Sequence, residues 1–281
     1  MSLVKTETIA LITGFYGLRR IGDVSFTPFR DTTRFIRFHA VVIFAITQEP
    51  CRHVSTLYCQ QKLLVVVITS LGIDDHVGDS LCGVLVPFAA GTIQTAFQAF
   101  SPTAKVPCLV DDDQVVWDSL AITEYLAERH AGVWPAENAA RTWARCASAE
   151  MHSGFSALRN ECGMSCGVRL SLSSLSPALQ ADLQRIDALW TQGLTRFGGS
   201  FLAGDTFSAV DAFFAPVVFR MQTYQLPVSE AVNRYCQHLL SLTAMRSWYA
   251  SALAETWREP AHEDEVTNQG ARVLLEDLRA K

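Results

Sequence analysis

The chain has 281 residues, 49% hydrophobic and 18% charged, a globular composition that excludes a disordered or fibrous protein. Its length accommodates one large domain or two small ones, either able to bury a core. The formal net charge of −5 and the lack of any basic stripe argue against a nucleic-acid partner, because phosphate binding needs a basic field.

Residues 1–53 carry short apolar runs and scattered arginines (Arg19, Arg20, Arg30, Arg34, Arg37) without a clean period, and read as an N-terminal extension. The first 14 residues lack a small-residue cleavage pattern. The longest apolar runs, 38–46 and 63–68, fall well short of the roughly 20 residues that span a bilayer. A soluble, cytoplasmic protein with no membrane partner is therefore expected. Residues 54–130 mix β-branched runs with turns, as an α/β unit does. Ser55-Thr56-Leu57-Tyr58-Cys59 is the predicted first strand, and 62–71 the first helix, ending at Gly72. The β-branched run within 63–69 gives that helix a competing strand propensity. After an unusual stretch, 74–82, a second strand is expected over 83–88.

The next run is Lys105-Val106-Pro107-Cys108-Leu109-Val110, an acidic turn of Asp111, Asp112 and Asp113, then Val115-Val116-Trp117-Asp118-Ser119-Leu120. It reads as strand, tight turn, strand, helix. Asp118 and Ser119 are both good helix N-caps, and the helix start presents free amides and the positive dipole end, an anion site. Pro107 cannot donate to a ladder, so it lies at an edge or carries a cis bond that turns backbone groups outward. Such a backbone could pair with an extended peptide ligand as an added strand does.

Gly132 and Pro135 mark a linker over 131–136. Helical texture then fills a second domain over 137–260, which makes the chain an α+β two-domain protein. The spacing of Trp143, Ala147, Met151, Phe155 and Leu158 predicts one long helix over 139–159. Helices follow over 177–197, ended by Gly198-Gly199, and over 209–224, apolar enough to be the buried central one. Further helices are expected over 233–248 and 249–257. The polar tail, 261–281, is expected to form a surface helix over 273–281 or to stay mobile. Eight cysteines without a Cys-x-x-Cys pair make neither a disulfide framework nor a zinc site. Cys162 and Cys166 read as reduced thiols on a loop near a helix end, and no metal is expected.

The Val106-Pro107 and Asp118-Ser119 pairs, followed by Ala121-Ile122-Thr123-Glu124-Tyr125-Leu126, resemble the glutathione transferase superfamily. So does Gly204-Asp205 with Ser208-Ala209-Val210-Asp211, a capping box opening the buried helix. The runs 148–160 and 252–260 resemble a bacterial-type branch that offers a serine near the start of its first helix to the glutathione sulfur. The resemblance implies a thioredoxin-like α/β N-terminal domain and an all-α C-terminal domain. It implies that the Val106 backbone, before Pro107, pairs with the cysteinyl moiety, that Asp118 and Ser119 hold the γ-glutamyl group, and that Lys105 contacts a glutathione carboxylate. Ser208 and Asp211 would serve folding. Met151 and Phe155 would line the pocket of the co-substrate, while His152 and Arg159 fall on the more polar side, with His152 in a surface or interdomain role.

Such enzymes lower the pKa of the bound thiol to yield a thiolate nucleophile. The branch's Ser-Ser-Trp-Ser-type loop is missing here; only Gln60-Gln61 stands in its place. Cys59, at the strand end, is the candidate catalytic thiol, with Tyr58 on the opposite face a lesser one. The implied function is conjugation of glutathione, as co-substrate, to a small-molecule electrophile (a detoxification chemistry) or glutathione-dependent thiol transfer, in a homodimer. The alternative is a non-catalytic glutathione-binding or protein-interaction module that has lost the thiolate-activating loop.

Overall fold

Four short strands form one sheet, with β1 (His53–Cys59) between β2 (Asp79–Leu85) and β3 (Cys108–Asp111), and β4 (Gln114–Trp117) outside β3. The computed structural model describes residues 53–59, 79–86, 95–256, 258, 260–267 and 272–279. The predicted extension up to residue 52, the Gln60-Gln61 loop and the predicted helix over 62–71 lie outside the described residues. β1 (His53–Cys59) pairs in parallel with β2 (Asp79–Leu85), from His53↔Asp79 to Cys59↔Leu85. Both strands begin earlier than predicted, β2 at Asp79 and not Gly83, because seven residue pairs of register outweigh the weak strand propensity of Asp79 and Ser80. β3 (Cys108–Asp111) and β4 (Gln114–Trp117) form an antiparallel hairpin whose turn holds Asp112 at φ 50°. Leu109 is fully buried, whereas Val115 and Trp117 are 39% and 43% exposed and Val116 between them packs on the core, the alternation of a half-buried edge strand.

α1 (Ser119–Ala127) follows β4 directly and buries Ile122 and Leu126 against the sheet and the helical domain. The helical domain opens with α2 (Asn138–Ser153), where Glu137 accepts the Ala139 and Ala140 amides. The predicted 139–159 stripe is buried along its whole length, but it belongs to two helices. α2 stops at Gly154, Phe155 adopts φ 56°, and α3 (Ser156–Glu161) begins anew. A β-carbon on Gly154 would stand 2.7 Å from the Glu150 carbonyl, so the turn there is closed around a glycine.

α4 (Pro177–Phe197) matches its prediction, from the Ser176 cap to the positive-φ glycines Gly198 and Gly199. α5 (Ala209–Tyr224) is buried on nearly every side, as its all-round apolar sequence requires. Its capping box forms: Asp211 accepts the Ser208 amide at 3.0 Å, and also the Leu202 amide and the Tyr235 hydroxyl, each at 3.0 Å. Trp190 of α4 stands edge-on to Phe214 and Tyr235, 5.2 and 5.0 Å between centroids. α6 (Glu230–Ser241) and α7 (Thr243–Leu253) replace the predicted 233–248 and 249–257 helices. Ser229 caps α6, and the extended Leu242 separates the two helices, a break that the apolar period runs straight through.

The tail departs most from expectation. α8 (Pro260–Thr267) is followed by a strand, β6 (Arg272–Asp277), where a surface helix was expected. β6 pairs antiparallel with β5 (Val168–Leu172), itself a strand inside a segment whose texture is helical. The cause is tertiary. Arg272 donates to the carbonyls of Glu161, Glu265 and Val266, and Leu278 N–H to the Gly167 carbonyl, so the tail is tied back across the α3–β5 loop.

Candidate functional site

The β3–β4 hairpin brings together residues twelve positions apart. Its register sets Cys108 against Trp117, so Val106-Pro107, just before β3, lies beside Asp118-Ser119, just after β4. The Val106–Pro107 peptide is cis. The β1–β3 register sets Tyr58 against Cys108, which brings the C-terminal end of β1, Cys59, to the same end of the sheet. The Cys59 side chain, like that of Tyr58, lies outside the described residues. Three chain segments thus converge on one sheet end, and α1 points its N-terminus there.

Asp118 caps α1. It adopts φ 74°, and its carboxylate accepts the Leu120 amide at 3.0 Å. The side chain stays 48% exposed, so the anionic carboxylate faces solvent at the notch. Ser119 is the first helical residue; its carbonyl accepts the Thr123 hydroxyl at 2.8 Å. Lys105 is exposed on the approach to Val106, its amide held by the Ser101 hydroxyl at 3.3 Å. The notch therefore combines an acid, a helix N-terminus and a lysine, which suits a ligand with both an ammonium and carboxylates.

Of the residues expected on the co-substrate side, Met151 and Phe155 are 3% and 6% exposed and belong to the helical core. Arg159 turns back on its own helix break, donating to the Met151 and Gly154 carbonyls. His152, on the other face of the last turn of α2, reaches the notch: its Nε2 stands 3.3 Å from Asp118 Oδ2. Two bidentate ion pairs brace the surroundings, Arg145 with Glu124 between α2 and α1, and Arg185 with Glu150 between α4 and α2.

Four other cysteines, Cys108, Cys162, Cys166 and Cys236, are poor nucleophiles. Burial pushes the thiols of Cys162, Cys166 and Cys236 up to about 12, 11 and 12, and raises that of Cys108. Among the described residues no group of three or more His, Cys, Asp and Glu is placed to hold a metal ion. Nor is any helix among them long and apolar enough to cross a membrane.

A small mixed sheet followed by a mostly helical part is a thioredoxin-like domain joined to an all-α one. Residues 71–129 match the family model for the glutathione S-transferase N-terminal domain, and 138–258 that for the C-terminal domain. The chain belongs to the glutathione S-transferase superfamily. It is 29% identical to a probable maleylacetoacetate isomerase of Caenorhabditis elegans, across 54% of this chain and 72% of that protein. Identity to glutathione S-transferase F13 of Arabidopsis thaliana is 27%, across 48% and 67%. A diazinon-metabolizing glutathione S-transferase of the silkworm Bombyx mori shares the fold, with a TM-score of 0.55 at 14% identity, across 70% of this chain and 97% of that one.

Proposed function

We propose that the chain is a glutathione transferase-like enzyme that holds glutathione in this notch and delivers its sulfur to a small electrophile, by conjugation or by thiol transfer. One observation carries the reading: the hairpin register that sets Val106-Pro107 beside Asp118-Ser119 at the start of α1. In this reading the Val106 backbone pairs with the cysteinyl residue, as an added strand does. The Asp118 carboxylate receives the γ-glutamyl ammonium, and Ser119 with the α1 amides receives the neighbouring carboxylate. Lys105 takes the glycyl carboxylate. Met151 and Phe155, buried in the helical core, back the last turn of α2 and the start of α3 from beneath and give the electrophile no exposed surface of their own. The relatives named above are glutathione S-transferases or members of that superfamily, which supports glutathione as co-substrate. The enzyme is assigned to the cytoplasm, as a homodimer.

In the thiol-transfer route Cys59 is the nucleophile. Its thiolate attacks the glutathione sulfur of a mixed disulfide, the S–S bond breaks, and the departing thiolate takes a proton from solvent. A second glutathione thiolate then attacks the Cys59–glutathione disulfide, which releases oxidised glutathione and restores the Cys59 thiolate.

The test uses the whole chain on immobilised glutathione, then a chlorinated nitroaromatic and a glutathione mixed disulfide as substrates. Retention with elution by free glutathione is expected; failure to bind overturns the proposal. Retention without conjugation removes the first route. Disulfide reduction lost in both Cys59→Ala and Cys59→Ser supports the second, and reduction unchanged in these variants removes Cys59 from it.

A further inference from the structure

His152 is the one polar side chain of the helical domain that faces the Asp118 carboxylate among the described contacts. Its place follows from the local sequence. Gly154 ends α2, so His152 falls in its last turn, from which the imidazole reaches Asp118 at the start of α1. There Nε2 stands 3.3 Å from Asp118 Oδ2, while Oδ1 accepts the Leu120 amide. Each carboxylate oxygen thus has its own partner, one from the helix it caps and one from the other domain.

Two further observations give this contact weight. Asp118 sits at φ 74° and ψ 135°, a backbone conformation that side-chain-bearing residues keep only where their surroundings impose it. A second link joins the same two helices, the bidentate Arg145–Glu124 pair. Glu124 lies about 9 Å along α1 from Asp118, and Arg145 about 10.5 Å along α2 from His152, at 1.5 Å per residue. The spacings agree for antiparallel neighbours, so α1 and α2 are pinned at two points, and the outer pin is at the notch.

We infer that His152 is a positioning residue for the glutathione site, holding the Asp118 carboxylate in the orientation that receives the γ-glutamyl ammonium. The inference rests on the assignment of Asp118 to that group. An imidazole nitrogen at this place restrains the carboxylate without occupying all its lone pairs, which leaves acceptor capacity for the ligand. It also makes α2 a contributor to glutathione affinity, although no α2 residue was assigned to glutathione itself.

The experiment is calorimetric titration of the full chain with reduced glutathione, beside steady-state kinetics with a chlorinated nitroaromatic. Both side chains of the pair are partly exposed, so His152→Ala is expected to weaken glutathione binding by about fivefold, the upper range for an exposed polar pair. KM for glutathione should rise in step, with kcat at saturating glutathione within about twofold of wild type. His152→Gln, which keeps an N–H donor, should recover most of the affinity, and His152→Glu, which sets a like charge against Asp118, should lose more than His152→Ala. In an Asp118→Ala background His152→Ala should have no further effect. If Asp118→Ala abolishes binding while His152→Ala leaves it unchanged, the inference is overturned and the glutathione site stands. Equal losses from His152→Ala with and without Asp118 overturn it as well. If Asp118→Ala itself binds normally, the γ-glutamyl assignment falls, and the role of His152 with it.

Discussion

Asp118 and Asp211 each open a helix, and their surroundings give them opposite work. Asp118 is half exposed and meets the amide of its own helix and His152 at the notch. Asp211 is fully buried and ties together three segments, through Leu202, Ser208 and Tyr235. Burial pushes its carboxyl up to about 6, against the opposing pull of its hydrogen-bond donors. A carboxyl raised in the folded state stabilises the fold fully below its unfolded value, here 3.8, and loses that contribution as pH rises through about 6. The melting temperature of wild type relative to Asp211→Asn should therefore fall between pH 4 and 7; a flat difference would contradict it. Asp211→Ala takes the acceptor from two amides and two hydroxyls in the core and should cost about 3 kcal/mol or more in urea unfolding. Among the described cysteines, Cys146 is exposed and Cys108, Cys162 and Cys236 are buried. Of these four, a maleimide at neutral pH should label Cys146 first and reach the buried three only on unfolding, as peptide mass spectrometry would show.

At the scale of elements, glycines decide boundaries that apolar periodicity leaves open. Gly193, inside α4, has no conformational duty: its missing β-carbon makes room, since one placed there would stand 2.5 Å from both the Leu202 carbonyl and the Trp143 ring. Gly193→Val should destabilise the protein by about 2 kcal/mol or more while its circular dichroism stays helical. The β5–β6 pair is held by Arg272 and by Arg279, which bridges Asp277 and Glu263. Deleting 260–281 removes this strap from the α3–β5 loop. The melting temperature is expected to drop by about 5 °C or more, with glutathione binding retained, because no described contact joins the strap to Lys105, Asp118 or Ser119. Loss of binding in the truncated chain would show that the two regions are coupled.

At the scale of the molecule, the site lies where the sheet's strand ends meet the last turn of α2. The hairpin that carries the residues proposed to face glutathione was legible because it is local: Val106-Pro107 and Asp118-Ser119 belong to one strand–turn–strand–helix run, and the hairpin needs little else to set its register. The Ser208–Asp211 box and the buried α5 were legible for the same reason, each being written within a single helix. His152 was visible as a polar residue beside an apolar stripe, but its partner is 34 positions away and nothing in the spacing names it. The break at Gly154, the end of α6 at Leu242 and the tail strand were misread because helical periodicity runs through them, and the contacts that stop it come from distant segments.

The sequence by itself determined the superfamily, the two-domain layout and the hairpin on which the proposed site is built, since those depend on neighbouring residues and on short-range geometry. Only the tertiary structure decided that α2 and α3 are separate, that residues 272–277 pair with 168–172, and that His152 faces Asp118. Each of these depends on which remote surface a segment packs against, and packing, hydrogen bonding to distant carbonyls and contact between charges all overrule local propensity.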